Sequence, residues 1–349
     1  MVDASETRIR ESFRQQAGYC RALQSPFTAQ LCDLLADGLT RETRTGARVL
    51  SWPGSPEATD DALALRVTAG LHALALKNID ANWSALYPPA ASPDIAILAR
   101  ALDETLHRHD AALLPWLDLP PQTNEVGRSA ALMSGLVFLA GQKELPFSLY
   151  ELGSSGGLNL ILDRYAYTLG TARVGGESAV HLTPAWSGPS PRPANVRVVA
   201  RRGVDQAPID VRTSFGRERL AAYVWPDQTE RLKRVRAAIA IAAEHPPPLD
   251  GMDASDWIER TIALAPQAGI HRVLMHSVTF QYFSDEGKRR VTAHAERVGA
   301  HATTEAPFSW LRMEQINGPF ELRVRTWPSG EDRLLALCHA HGATIDWKA

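Results

Sequence analysis

Cysteine is scarce in this chain. Only Cys20, Cys32 and Cys338 occur among 349 residues. They form an odd, widely scattered set without metal-ligand spacing, so they are expected to be reduced thiols of a cytoplasmic protein. An excess of charge of one sign is missing too. Thirty-seven Lys and Arg against 39 Asp and Glu leave a formal charge of −2, so no basic field exists to gather nucleic acid or anionic lipid. Long apolar runs are absent, and the longest, Ala130–Ala140, is too short to span a bilayer. Met1–Arg21 carries Asp3, Glu6, Arg8, Arg10, Glu11 and Arg14, which leaves no apolar core of a signal peptide. These absences predict a soluble protein with neither a nucleic-acid nor a membrane partner. The apolar fraction of 45% is ordinary for a globular chain, and the length favours two domains over one core.

What is present changes character along the chain. Residues 1–118 show helix-period patterns and almost no strand signal: Ile9–Phe13, Phe27–Leu39, Asp61–Asn78 and Asp94–Leu114 place apolar residues at i, i+3, i+4 spacing. Ser25-Pro26 and Ser92-Pro93-Asp94 read as helix starts with proline in the first turn. Trp52–Glu57 and Tyr87–Pro93 read as loops. Leu119-Pro120-Pro121-Gln122-Thr123-Asn124 reads as the domain boundary, because two prolines disfavour helix continuation. An all-α domain over 1–118 and a second domain over 124–349 are expected.

Past the boundary, strands alternate with helices. Glu125–Ala140 is apolar nearly all round, as a helix buried on a sheet would be. Strands are expected at Phe147–Leu152, Val196–Ala200 and Arg272–Val278, with helices at Gly157–Tyr167, Asp227–Ala243, Ser255–Leu264 and Asp285–Val298. Glu321–Trp327 and Leu334–His341 read as a hairpin joined by Pro328-Ser329-Gly330. His181–Ala194, with four prolines, reads as an excursion outside the sheet. The fold class is therefore α/β: a doubly wound, mostly parallel sheet ending in an antiparallel hairpin.

Tyr150-Glu151-Leu152-Gly153-Ser154-Ser155-Gly156-Gly157-Leu158-Asn159 links the first strand to the expected helix. Ligands bind at the carboxyl ends of such strands. Glycine lets backbone approach a ligand, and a helix start offers free amides; a tight connection whose glycines serve packing is the plain alternative. The dinucleotide fingerprint would need glycines where Ser155 and Leu158 stand, and a phosphate-binding P-loop would need Gly-Lys-Ser/Thr where Gly157-Leu158-Asn159 stands.

The run instead resembles the acid-x-Gly-x-Gly-x-Gly motif of class I S-adenosylmethionine-dependent methyltransferases. Glu151, Gly153 and Gly157 match, whereas Ser155 replaces the middle glycine and Gly156 lies beside it. The resemblance covers roughly residues 124–349. The whole chain is similar to an uncharacterised bacterial domain-of-unknown-function family with a helical N-terminal region and a methyltransferase-like core. The resemblance implies a Rossmann-like methyltransferase fold with S-adenosylmethionine as cofactor. Glu151, Gly153, Ser154, Ser155, Gly156, Gly157 and Asn159 would hold the methionine part. Gly203-Val204-Asp205 would supply the ribose-binding acid, at a greater distance from the turn than usual. Gly251-Met252-Asp253-Ala254 resembles the loop whose acid meets adenine, although Asp253 suits a helix cap equally. Arg128 would meet the donor carboxylate or make a structural ion pair. His276, at the end of the fourth parallel strand, is the candidate catalytic base, against the alternative of a core histidine. Neither an Asn-Pro-Pro-Tyr motif nor a Pro-Cys pair is present, so the acceptor stays open, with a small molecule expected.

Two other readings stand beside this one. Gly153-x-Ser155-x-Gly157 matches the hydrolase nucleophile pattern, with Asp253 and His276 or His341 available for a triad. A module that binds S-adenosylmethionine or a nucleotide without catalysis would explain the missing middle glycine. A metal is not expected: His107 and His109 point to different faces of a helix, and His339 and His341 share a strand face without a local third ligand. Arg231, Lys233, Arg234 and Arg236 read as a wet helix face. Finally, residues 1–118 are expected to cover the carboxyl ends of the strands and to help form the acceptor pocket. Trp52, Trp83 and Tyr87 could line it, or could pack the helices' own core.

Overall fold

A computed structural model describes residues 4–90, 93–316 and 318–349. Asp3 and the expected helix cap Ser92 lie outside the described residues. The helices among them are α1 (Ala4–Ala22), α2 (Pro26–Gly38), α3 (Arg44–Val49), α4 (Leu63–Leu76), α5 (Ala81–Ser84), α6 (Ile95–Arg108), α7 (Asp110–Leu113), α8 (Ser129–Gln142), α9 (Ser214–Ala222), α10 (Thr229–Glu244), α11 (Ala254–Thr261) and α12 (Asp285–Ala300). The strands are β1 (Phe147–Leu152), β2 (Ala166–Leu169), β3 (Ala172–Val174), β4 (His181–Leu182), β5 (Ala185–Ser187), β6 (Val198–Asp205), β7 (Leu249–Gly251), β8 (His271–Ser277), β9 (Phe308–Gln315), β10 (Phe320–Trp327), β11 (Glu331–Cys338) and β12 (Thr344–Trp347).

The chain divides into two compact units, 1–123 with 214–233, and 124–213 with 234–349. In the first unit, helical periodicity makes the core: Leu63, Val67, Leu71 and Leu74 of α4 meet Phe13 and Ala17 of α1 and Leu31 and Leu35 of α2. Trp83 and Tyr87 are buried in this core. Helix starts are closed by side-chain oxygens. Asp94 caps α6 by accepting the Ala96 and Ile97 amides at 2.8 and 3.3 Å. Pro26 lies in the first turn of α2, but Ser25 makes no cap bond to an amide of that helix. Asp227 does the capping instead, taking the Phe27 and Thr28 amides at 3.1 and 3.3 Å and the Ser25 hydroxyl.

The second unit is a mixed α/β sheet of nine strands, ordered β7-β6-β1-β8-β9-β10-β11-β12-β5. From β7 to β9 all neighbours are parallel. The β10–β11 hairpin is antiparallel, as are its junctions with β9 and β12. Along the parallel part, chain order runs outward in opposite directions from β1 and β8. The gap between those two strands is the topological switch point, whose carboxyl-end crevice is where open parallel sheets bind ligands. One sheet face carries Leu152, Val204, Leu274, Phe308 and Trp310 against Trp257 and Ile258 of α11 and Val291 and Val298 of α12. On the other face, α8 approaches so closely that a Cβ on Gly135 would stand 2.5 Å from Leu311.

Three expectations are corrected. The excursion over His181–Ala194 does not lie wholly outside the sheet, because β5 pairs in parallel with β12 as an edge strand. β4 joins β2 and β3 in a separate small sheet. The strand expected over Leu334–His341 stops at Cys338: the His339 amide bonds Thr344 O and the Gly342 amide bonds His339 O, which closes a turn. His339 and His341 consequently do not share a strand face. The third correction concerns the helix at Gly157–Tyr167, described next.

Candidate functional site

After Leu152 the backbone turns through three residues with positive φ, Gly153 (66°), Ser155 (52°) and Gly157 (73°). No α-helix follows over 157–167. Amides reach back three residues rather than four, from Gly157 to Ser154 at 2.7 Å, Leu160 to Gly157 at 3.1 Å and Arg164 to Ile161 at 2.9 Å. One short 3-10 turn, Leu162–Arg164, leads directly into β2. Leu158, Leu160, Ile161, Leu162 and Tyr165 are all buried, and Arg164 is the one exposed residue of the segment. Side chains also take its backbone groups: Asn124 Oδ1 accepts the Leu158 amide at 2.8 Å, and the Tyr165 hydroxyl donates to Leu158 O at 2.7 Å. The Ser154, Ser155, Gly157 and Leu158 amides are therefore engaged within the protein.

The glycines also differ from expectation. A Cβ on Gly153 would meet Thr279 Oγ1 at 2.1 Å, and one on Gly157 would meet Pro247 Cγ at 2.4 Å. Both glycines admit neighbouring protein, and their positive φ disfavours any side chain. Ser154 is spent on structure: its amide bonds Val204 O at 2.9 Å and its hydroxyl bonds Glu151 O at 3.0 Å. Asn159 accepts the Ser129 hydroxyl at 2.7 Å, and Gly156 is buried in the same turn.

Two groups in the turn lack partners. Glu151 is 2% exposed, and its Oε2 makes no hydrogen bond. Its neighbours Tyr150 and Leu152 pack toward α11 and α12, so strand alternation turns Glu151 to the α8 face. Burial pushes its carboxyl well above the usual range; the Ser154 hydroxyl opposes the rise and the Asp205 charge adds to it. The hydroxyl of Ser155 is likewise buried and unpartnered.

The other expected residues are distributed along the same edge. Asp205, at the end of β6, accepts the Ser155 amide at 2.9 Å and the Ala207 amide at 2.9 Å. It therefore touches the glycine turn, and its own carbonyl accepts the Met252 amide at 3.1 Å just beyond β7. Asp253 caps α11, taking the Ser255 and Asp256 amides through Oδ1 at 2.8 and 3.2 Å. Its bond from the Ser255 hydroxyl holds the carboxyl below the ordinary range. Arg128 donates to Ala340 O at 2.9 Å and Ser277 O at 3.3 Å, which ties the start of α8 to the end of β8.

His276 is fully buried on β8, with Nδ1 2.6 Å from Glu314 Oε1. The same carboxylate oxygen accepts the Thr279 and Phe280 amides at 3.0 and 3.1 Å. Burial alone would raise the Glu314 carboxyl, but the His276, Thr279 and Phe280 bonds outweigh it and hold the group below its usual range. The imidazole stacks on Phe280 with centroids 5.0 Å apart, and its Nε2 has no partner. Sequence reasoning missed Glu314 and Thr279. The apolar-rich run Phe308-Ser309-Trp310-Leu311-Arg312-Met313 was the available signal for β9.

A model of uncharacterized proteins conserved in bacteria (DUF2332) matches residues 10–347. The chain belongs to this family. No curated protein and no solved structure matches it. Membership in DUF2332 carries no activity with it, so function rests on the chemistry of the site. Among the described residues, no helix is long and apolar enough to cross a membrane, and no group of three or more His, Cys, Asp or Glu could hold a metal ion.

Proposed function

We propose that the carboxyl edge of β7, β6, β1 and β8 binds S-adenosylmethionine, and that the protein transfers its methyl group to a small-molecule acceptor. The observation that carries this reading is Glu151. A buried carboxyl with an orphaned oxygen costs free energy. A cationic ammonium such as the donor's would satisfy it. Ser155 Oγ, unpartnered in the same turn, fits a second polar contact. Asp205, which accepts the Ser155 amide, would accept ribose hydroxyls as the methyltransferase resemblance implies. Asp253 lies past the end of the next strand, on the adenine side of the same resemblance. Arg128 keeps β8 and α8 in register and stands near the donor carboxylate only as a secondary contact.

Bound S-adenosylmethionine would supply an electrophilic methyl group. The protein's task is alignment and removal of the acceptor's proton. With Glu314 accepting from Nδ1 of His276, Nε2 would be the atom that receives the acceptor's proton. Thermal unfolding with S-adenosylmethionine and S-adenosylhomocysteine tests the binding half. Ligand at 100 times its Kd should add about 2.7 kcal/mol of stability, and no shift with either at millimolar concentration removes the proposal.

The hydrolase reading retains one favourable observation, the positive φ of Ser155 within Gly-x-Ser-x-Gly. Against it, no helix follows the turn and no histidine bonds Ser155 Oγ. Fluorophosphonate labelling that disappears in Ser155→Ala would establish it over methyl transfer.

A further inference from the structure

We infer that Cys20 and Cys32 are a dithiol that peroxide converts to a disulfide, locking the first helical hairpin. α1 and α2 are joined by only Leu23–Ser25 and pack antiparallel. Ion pairs fix their register: Arg14 holds Asp37 at 2.8 Å, and Arg21 holds Asp33. Cys20 and Cys32, each one residue before a member of the second pair, face each other inside the hairpin, both with 0% exposure. Their thiols hydrogen-bond to each other. Gln16 on α1 donates its side-chain amide to Cys20 Sγ at 3.4 Å. Ser25 N–H on Cys20 O at 2.8 Å pins the backbone beside the pair.

The surroundings give the two sulfurs different roles. The Cys32 bond holds the Cys20 thiol below its ordinary range despite burial, and Gln16 adds to this. The same bond, with burial, pushes Cys32 well up. Cys20 is thus the sulfur that attacks first once the hairpin opens. Its sulfur takes one peroxide oxygen as the O–O bond breaks, giving a sulfenic acid while the other oxygen leaves as water. Cys32 sulfur then attacks the sulfenic sulfur, the S–S bond forms and a second water leaves. Two electrons pass from the thiols to peroxide, and both thiol protons end in water. Because neither sulfur is exposed, the reaction waits on opening of the hairpin.

The experiment uses the full reduced chain, treated with hydrogen peroxide, alkylated in denaturant and digested with trypsin. Peptides Gln15–Arg21 and Ala22–Arg41 should appear joined within one chain, about 2 Da lighter than the two thiol peptides. Dithiothreitol should reverse the link, and Cys338→Ser should leave it unchanged. In Cys32→Ser the sulfenic acid on Cys20 should be trapped by dimedone; if that variant does not fold, the wild-type peptide map decides alone. Alkylation of both Cys20 and Cys32 after peroxide, or pairing of either with Cys338 or with another chain, overturns the inference.

Discussion

At the end of β1, Glu151 keeps one carboxyl oxygen without a hydrogen bond inside the protein, and folding therefore favours its neutral form. Its folded pKa is raised above the ordinary 4.5. The contribution is complete below that pH, and stability falls as pH rises, by about 1.4 kcal/mol per unit until the folded pKa is passed. Glu151→Gln preserves shape and cannot ionise, so urea unfolding should show its advantage over wild type growing as pH rises above 4.5. Parallel pH profiles for the two proteins would show that Glu151 is not buried neutral. His271 works at the acid end. It is 3% exposed, bonds Ser309 Oγ at 2.8 Å, and burial lowers its pKa from 6.5 to about 4. Its stability contribution is full above 6.5 and is lost as pH falls toward about 4, roughly 3 kcal/mol in all. His271→Gln should flatten that limb of the urea profile, and an unchanged acid limb would count against a neutral His271.

At the scale of elements, the cap of α2 comes from a residue 200 positions away in sequence. Asp227→Ala removes the acceptor for two amides and should cost roughly 1–2 kcal/mol in urea unfolding; a cost near zero would mean that Ser25 replaces it. Such a partner is invisible locally, and Ser25-Pro26 reads as a self-sufficient cap. The long helices and the strands β1 and β8 were legible because apolar periodicity marks them, whereas β7 and β9 were not. β6 runs beyond the expected Val196–Ala200 to Asp205, through Arg201 and Arg202. In the fold they pair with Asp163 at 2.6 Å and Asp250 at 2.6 Å. Leu158, Ile161, Leu162 and Tyr165 have helical spacing, but Ser155 and Gly157 turn left-handed and Asn124 takes an amide, so long-range bonds override the pattern. β5 is three residues long and exists through pairing with the far end of the chain.

Across the whole molecule, the carboxyl ends of adjacent strands bring Glu151 and His276, 125 positions apart in sequence, to one edge of the sheet but onto its opposite faces. The acid-and-glycine run and Asp205 were legible separately, and the structure brings them into contact through the Ser155 amide. The partner Glu314 and the packing of Thr279 on Gly153 were not legible, because both depend on strand neighbours that sequence does not name. The most direct measurement is isothermal titration calorimetry of the full chain with S-adenosylhomocysteine, alongside Glu151→Gln and Asp205→Ala. One site per chain is expected for wild type, with affinity reduced about tenfold or more in each variant, equivalent to about 1.4 kcal/mol. No heat of binding to wild type at millimolar ligand, or equal affinity in all three proteins, would contradict a donor site at the ends of β6, β1 and β8.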